Sequence, residues 1–272
     1  LTDSFGTGTA TITLDNSDRR FDPYNLVGPY AAAGVSNLRP MVPCRISATY
    51  AGVRWPVFYG FVDQWDPEYS EPAAGSCTVT VSDAFKVLAN NDPLGLVTPV
   101  GGNELSGARI HRILDAAGWP TADRRIDAGD SQLQATTLAQ NILTELKLTA
   151  DSERGELLVD TDGAVLFRER HARMERSASI NVQAVFGDAA GELEFSACTQ
   201  PVNDELIRNA AQVTRVGGTA QVAGSDASQT QFLKRTFNRT DLIVTTDAEA
   251  AEYARWIIRQ FADQDKRVEQ IT

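Results

Sequence analysis

Along the first 82 residues apolar and polar side chains alternate in short runs. Thr9 to Leu14 reads small or polar, then apolar, three times over before meeting Asp15-Asn16-Ser17-Asp18. That is strand chemistry followed by turn chemistry. Pro43 to Tyr50 and Val53 to Trp65 are two further β-rich runs separated by Ala51-Gly52, and Cys77, Val79 and Val81 alternate in a fourth. Four strands in about 80 residues predict a small barrel or sandwich.

The period then changes. Asp83 to Asn90 fits a short helix with an Asp cap, closed by the breaker Asn90-Asn91-Asp92-Pro93. Ser106 is placed to cap a helix carrying Ile110, Ile113, Leu114 and Ala117, with Gly118 and Pro120 as stop signals. Leu138, Ile142 and Leu146 recur every four residues and predict a second helix ending near Leu148 or Ala150. Leu157 to Asp160 and Ala164 to Phe167 flank Thr161-Asp162-Gly163, where Asp-Gly supplies the positive φ of a tight hairpin. Ser177 to Val222 reads as further strands, one of them Gln212 to Val216 halted by Gly217-Gly218. Thr246-Asp247-Ala248-Glu249 is a capping box, and Ala250, Tyr253, Ala254, Ile257, Ile258 and Phe261 trace a wide apolar stripe, so a helix is predicted over 246–262. The expectation is an α+β, mainly β chain in three parts: a barrel-like domain over 1–92, an α+β middle domain over 93–176 with two helices and a hairpin, and 177–272, whose strands and helix either complete the first barrel or start a second.

Composition narrows the class. At about 150 residues per domain, 272 residues exceed a stapled miniature scaffold, and 42% hydrophobic with 22% charged residues fit neither a disordered chain nor a fibre. A formal net charge of −11 repels polyphosphate and anionic membrane and disfavours sequence reading of duplex DNA. Cys44, Cys77 and Cys198 are odd in number and widely spaced, which rules out a fully paired disulfide framework and a CxxC metal motif. No stretch approaches the roughly 18 apolar residues of a membrane span. The chain opens at Leu1 rather than Met and stops on the strand-like Gln270-Ile271-Thr272, so it reads as a fragment of a longer one.

Catalytic motifs are missing from the sequence. His111 sits on a predicted helix and His171 in a charged strand end, and neither joins an HExxH or GxSxG motif. Asp15 to Asp18 and Asp160 to Gly163 have the oxygen-rich look of calcium loops but lack the full spacing and terminal Glu, so they read as turns. Gly6-Thr7-Gly8 and Gly101-Gly102 complete no phosphate-binding loop. Trp55, Phe58, Tyr59, Phe61 and Trp65 have two readings, core or subunit-interface packing and a sugar or peptide groove. No catalytic, cofactor-binding or metal-ligating residue is assigned, and the chain is read as a non-enzyme.

Several segments in order resemble one family. They are Ala10 to Asn16 with Arg20-Phe21-Asp22-Pro23-Tyr24-Asn25, Arg39 to Ile46, and Val57 to Asp63, followed by Ile113 to Pro120, Ile126 to Gly129, Ala150 to Gly155 and Asp160 to Gly163 with Phe167 and Arg168. Taken together these resemble the minor tail or baseplate-hub proteins of tailed bacteriophages, especially long-tailed phages of actinobacteria. The resemblance implies tube-like β-barrel domains and a homotrimer around the tail axis. It further implies a position at the virion's tail tip after assembly in the host cytoplasm. The partners so implied are the distal tail protein, the tape-measure protein and tip or fibre proteins, with DNA passing transiently and non-specifically. Two alternatives stay open: a six-fold distal tail protein or injection-machine spike hub, and a carbohydrate-binding or cell-wall-degrading module motivated by Trp55, Tyr59, Trp65 and the many carboxylates.

Overall fold

The computed structural model describes residues 5–70, 74–92, 99–172, 177–200, 204–263, 268 and 270–271. Strand β1 (Thr9–Asp15) is followed by two short strands, β2 (Ala31–Ala32) and β3 (Val35–Ser36), that pair with each other. Three long strands come next, β4 (Pro43–Tyr50), β5 (Val53–Ser70) and β6 (Ala74–Ser82). With β1 they form one antiparallel sheet in the order β1-β6-β5-β4. The β4–β5 connection is tight because Ala51 and Gly52 both take positive φ, +48° and +78°, as a two-residue hairpin turn requires.

Alternation decides the two faces of this sheet. Ile12 lies opposite Val79 and Leu14 opposite Cys77, and Trp65 joins Val79 from the other side. Val62, Cys77, Val79 and Val81 are buried on this core face, with Phe58 and Trp65 packed against them. The expected barrel is realised as an open, half-barrel sheet: β1 and β4 are its edges, and among the described residues neither edge pairs with the other. Shifts of register after Val62 and after Ile46 bend the long strands.

Asp83 caps helix α1 (Ala84–Ala89) by accepting from the Phe85 amide at 2.9 Å, as the sequence predicts. Its second oxygen accepts from the Gly8 amide at 2.6 Å and ties the helix to the start of β1. Then follow β7 (Glu104–Leu105), α2 (Ser106–Ala116), β8 (Arg124–Ile126), β9 (Gln132–Leu133), α3 (Ile142–Glu153), β10 (Glu156–Val159) and β11 (Val165–Arg168). Ser106 is the first helical residue rather than the cap, and its hydroxyl donates to buried Glu153 at 3.0 Å. Leu138 precedes α3, whose cap is Asn141, and that helix runs past the expected end until Arg154 turns left-handed at φ +64°. The hairpin of β10 and β11 is as expected, with Gly163 at φ +92°. Phe85 and Leu88 of α1, Ile110, Ile113 and Leu114 of α2, Ile142 and Leu146 of α3, and Phe167 of β11 make one core. Each such side chain contributes about 1.5–3 kcal/mol by leaving water.

The remainder contains α4 (Ser177–Ile180), β12 (Cys198–Thr199), β13 (Ala210–Arg215), β14 (Gln221–Gly224), α5 (Asp226–Phe232), β15 (Thr236–Leu242), α6 (Asp247–Phe261) and β16 (Gln270–Ile271). Strands were expected throughout 177–222. Over 181–197 the backbone is instead irregular apart from one bridge between Phe186 and Leu193: Ile180, Val182 and Ala184, and again Leu193, Phe195 and Ala197, do alternate with polar residues, but their apolar side stays exposed and has nothing to pack on. In the last sheet, β13 lies between β14 and β15. Helix α6 buries Ala250, Tyr253, Ala254, Ile257 and Phe261 against it, together with Leu133 of β9. Its capping box is complete: Thr246 accepts from the Glu249 amide and Glu249 from the Thr246 amide.

Candidate functional site

The outer face of the first sheet is the surface with the clearest chemical character. Opposite the core face, Thr11 pairs with Thr80, Thr13 with Thr78 and Asp15 with Ser76. From the other flank β5 adds Gln64 beside Thr80, Asp66 beside Thr78 and Glu68 beside Ser76. Thr11, Thr13, Asp15, Gln64, Asp66 and Glu68 are exposed. No Lys or Arg occurs in β1, in β6 or in residues 55–70 of β5, so over these strands the face presents hydroxyls, one amide and carboxylates, whereas towards β4 the same face carries Arg45, which pairs with Tyr59, and Arg54. Asp15 is held below the ordinary carboxylate range by the Ser17 amide that it accepts from, at 3.0 Å. It is therefore charged at neutral pH.

At its other end the same face meets the middle core. Phe61 packs edge-on against Trp119 at 6.3 Å between ring centres, and Tyr59 edge-on against Phe61 at 5.9 Å. Gly163 sits directly on the Tyr59 ring, leaving no room there for a Cβ. Beside this junction lies a cavity of about 370 Å³ lined in part by Met41, Phe61, Asp63, Ser82 and Lys86. Its carboxylate is already engaged: Asp63 pairs with Lys86 at 2.5 Å and accepts from the Ser82 hydroxyl at 2.5 Å. Such a carboxylate is a structural clasp, not a free acid or base.

The five aromatic residues singled out in the sequence are thus divided. Phe58 and Trp65 belong to the core face, and the Trp65 indole donates to the Arg39 carbonyl at 3.2 Å. Tyr59 and Phe61 hold the junction with the middle core, and Trp55 stands exposed on the β4–β5 hairpin. They do not share one groove. The two histidines are also apart: His111 is exposed on α2, and His171 lies 3.1 Å from Asp130 at the end of the middle core.

The oxygen-rich loops are turns, with their carboxylates committed to local bonds. Asp18 accepts from the Arg20 amide and side chain, Asn16 from the Phe21 amide, and Asp160 and Asp162 both bind Arg125. Among the described residues no group of three or more His, Cys, Asp or Glu is gathered as for a metal ion. Cys44 and Cys77 have thiols pushed up by burial, hence protonated at neutral pH, and Cys198 is exposed.

Sequence reasoning missed two buried charge clusters because their members are distant along the chain. Glu153 is fully buried and accepts from Arg170 at 2.8 Å, the Ser131 amide at 2.6 Å and the Ser106 hydroxyl. Burial pushes its carboxyl up, but Arg170 and the Ser131 amide outweigh that and hold it below the ordinary value. Arg109, 1% exposed, reaches Glu104 at 2.5 Å, the Thr136 hydroxyl at 2.8 Å and the carbonyls of Gly101 and Gln134. Both clusters pin loops to helices α2 and α3.

No family model matches the sequence, and sequence comparison finds no characterised relative. Structural comparison finds a likeness of fold. The fold is similar to that of the 43 kDa tail protein of prophage MuSo2 from Shewanella oneidensis, at TM-score 0.52 and 16% identity, over 94% of this chain and 71% of that one. It is similar also to a tail protein from Neisseria meningitidis, at TM-score 0.52 and 11% identity, over 78% of this chain and 61% of that one. Among the described residues no helix is long and apolar enough to cross a membrane.

Proposed function

We propose that this chain is a structural subunit of a bacteriophage tail, a non-enzymatic hub at the tail tip. In this reading three copies surround the tail axis, join the tube and distal ring to the tip, and leave a channel through which DNA passes. The likeness of fold to two prophage tail proteins supports placement in a tail. The observation that carries the channel is the outer face of the first sheet across β1, β6 and residues 64–68 of β5, where threonines alternate with Asp15, Asp66 and Glu68, the cations Arg45 and Arg54 being set apart on β4 and the β4–β5 hairpin. Such a wall is hydrated and repels phosphates, so DNA slides past without binding. Three copies, each at −11, strengthen that field. Closure of the half-barrel into a tube, contacts with distal tail, tape-measure and tip or fibre proteins, and the division at 92 and 176 belong to the same proposal.

An antibody against the chain, or an affinity tag on it, imaged on purified particles by electron microscopy, tests the position. Label confined to the tail end away from the head is expected. Label along the whole tail, or none on intact particles, overturns the reading.

A further inference from the structure

We propose that copies of this chain join head to tail through an acidic apolar arm, residues 177–200, seated on the basic aromatic hairpin of β4 and β5 in the next copy. The proposal rests on the reading of the chain as a ring-forming subunit and names the surfaces that make the ring.

Two elements expose apolar side chains without covering each other. In the arm, Ile180, Val182, Val185, Phe186, Leu193 and Phe195 are all exposed, Val182 at 79%. The arm is nevertheless folded on itself: the Leu193 amide donates to the Val185 carbonyl at 2.8 Å and the Gly187 amide to the Leu193 carbonyl at 3.0 Å. On the hairpin, Tyr50, Val53, Trp55 and Val57 are exposed, Tyr50 at 79%. Clusters of this kind mark contact surfaces, and aromatic residues with Arg are the usual anchors of protein interfaces.

Charge identifies the occupant. From Ser177 to Ile207 the sequence holds Asp188, Glu192, Glu194, Asp204 and Glu205 and not one Lys or Arg. From Pro23 to Val62 it holds Arg39, Arg45 and Arg54 and not one Asp or Glu. Arg45 lies over the Tyr59 ring and Arg54 donates to the Ser47 hydroxyl at 2.8 Å, and neither is in an ion pair among the described residues. In a chain of net charge −11, a stretch of 40 residues without a carboxylate is the natural seat for an arm without a cation. Two different, complementary surfaces on one chain generate a heterologous contact, the kind that closes a ring.

Sedimentation velocity of the full 272-residue chain tests this with a charge swap. Arg45→Glu with Arg54→Glu, and separately Asp188→Arg with Glu194→Arg, are each expected to weaken self-association by about tenfold or more, since like charges then face each other. All four changes together restore opposite charges and are expected to restore association. The positions are exposed, so unchanged circular dichroism and melting confirm intact folding of each variant. A wild-type chain that stays monomeric, or a fourfold variant no better than the two double ones, overturns the arm-on-hairpin contact. The hub reading fails on a different result, the absence of the chain from the tail tip.

Discussion

A single buried carboxylate carries much of the order in the middle of the molecule. Glu153 joins α3, the Asp130–Ser131 loop, the start of α2 and Arg170. Replacing it by Ala leaves Arg170 and two backbone donors without their partner, at a cost of about 3–5 kcal/mol in chemical denaturation. Because its folded pKa is depressed, the stabilisation is complete above the unfolded value near 4.5 and disappears as pH falls through the lower folded value. Wild type and Glu153→Gln should therefore differ most at neutral pH and draw together as the pH is lowered below about 4.5; a constant gap in urea midpoints would contradict the charge's role. Gly163 is the second decisive residue. Its φ of +92° and its seat on the Tyr59 ring both exclude a side chain, so Gly163→Val should cost about 2–4 kcal/mol. A thermal melt with no loss would show that the turn and the junction relax freely.

Among elements, α6 shows how far local pattern reaches. Its capping box and apolar stripe lie within one continuous segment, and the helix forms over Asp247–Phe261 as that pattern predicts. Ile257 is fully buried, so Ile257→Asp should cost about 3–5 kcal/mol, read as a lowered unfolding midpoint. The hairpin at Gly163 and the first sheet's strands were legible for the same reason: turn residues and alternation are local signals. Ser106 was not, because a cap and a first-turn residue look alike in sequence, and what separates them is the distant Glu153. A breaker such as Asn90-Asn91 marks where α1 stops and carries no information on which core Phe85 and Leu88 join. The stretch over 181–197 reads as strand because Val182 and Ala184, and Leu193, Phe195 and Ala197, alternate with polar residues, yet strands need partners, and alternation does not supply them.

At the scale of the whole molecule, the arrangement is an open sheet whose outer face is hydroxyl- and carboxylate-lined over β1, β6 and the later half of β5 and basic towards β4, with two further cores and apolar surface left outside on the arm and the hairpin. The aromatic residues of β5 illustrate what sequence could not decide: strand parity alone would place Tyr59, Phe61 and Trp65 on one side, but the shift of register after Val62 sends Trp65 to the core face, away from Tyr59 and Phe61. The central claim is that copies of this chain surround a channel with the threonine and carboxylate face turned inward. A cryo-EM reconstruction of the assembled tail tip tests it most directly. The account predicts three copies in a ring, with Thr11, Asp66 and Thr80 lining the lumen and the arm of each copy on the β4–β5 hairpin of its neighbour. A ring in which those residues face outward, or a particle in which the chain sits as a solitary body away from the axis, would contradict it.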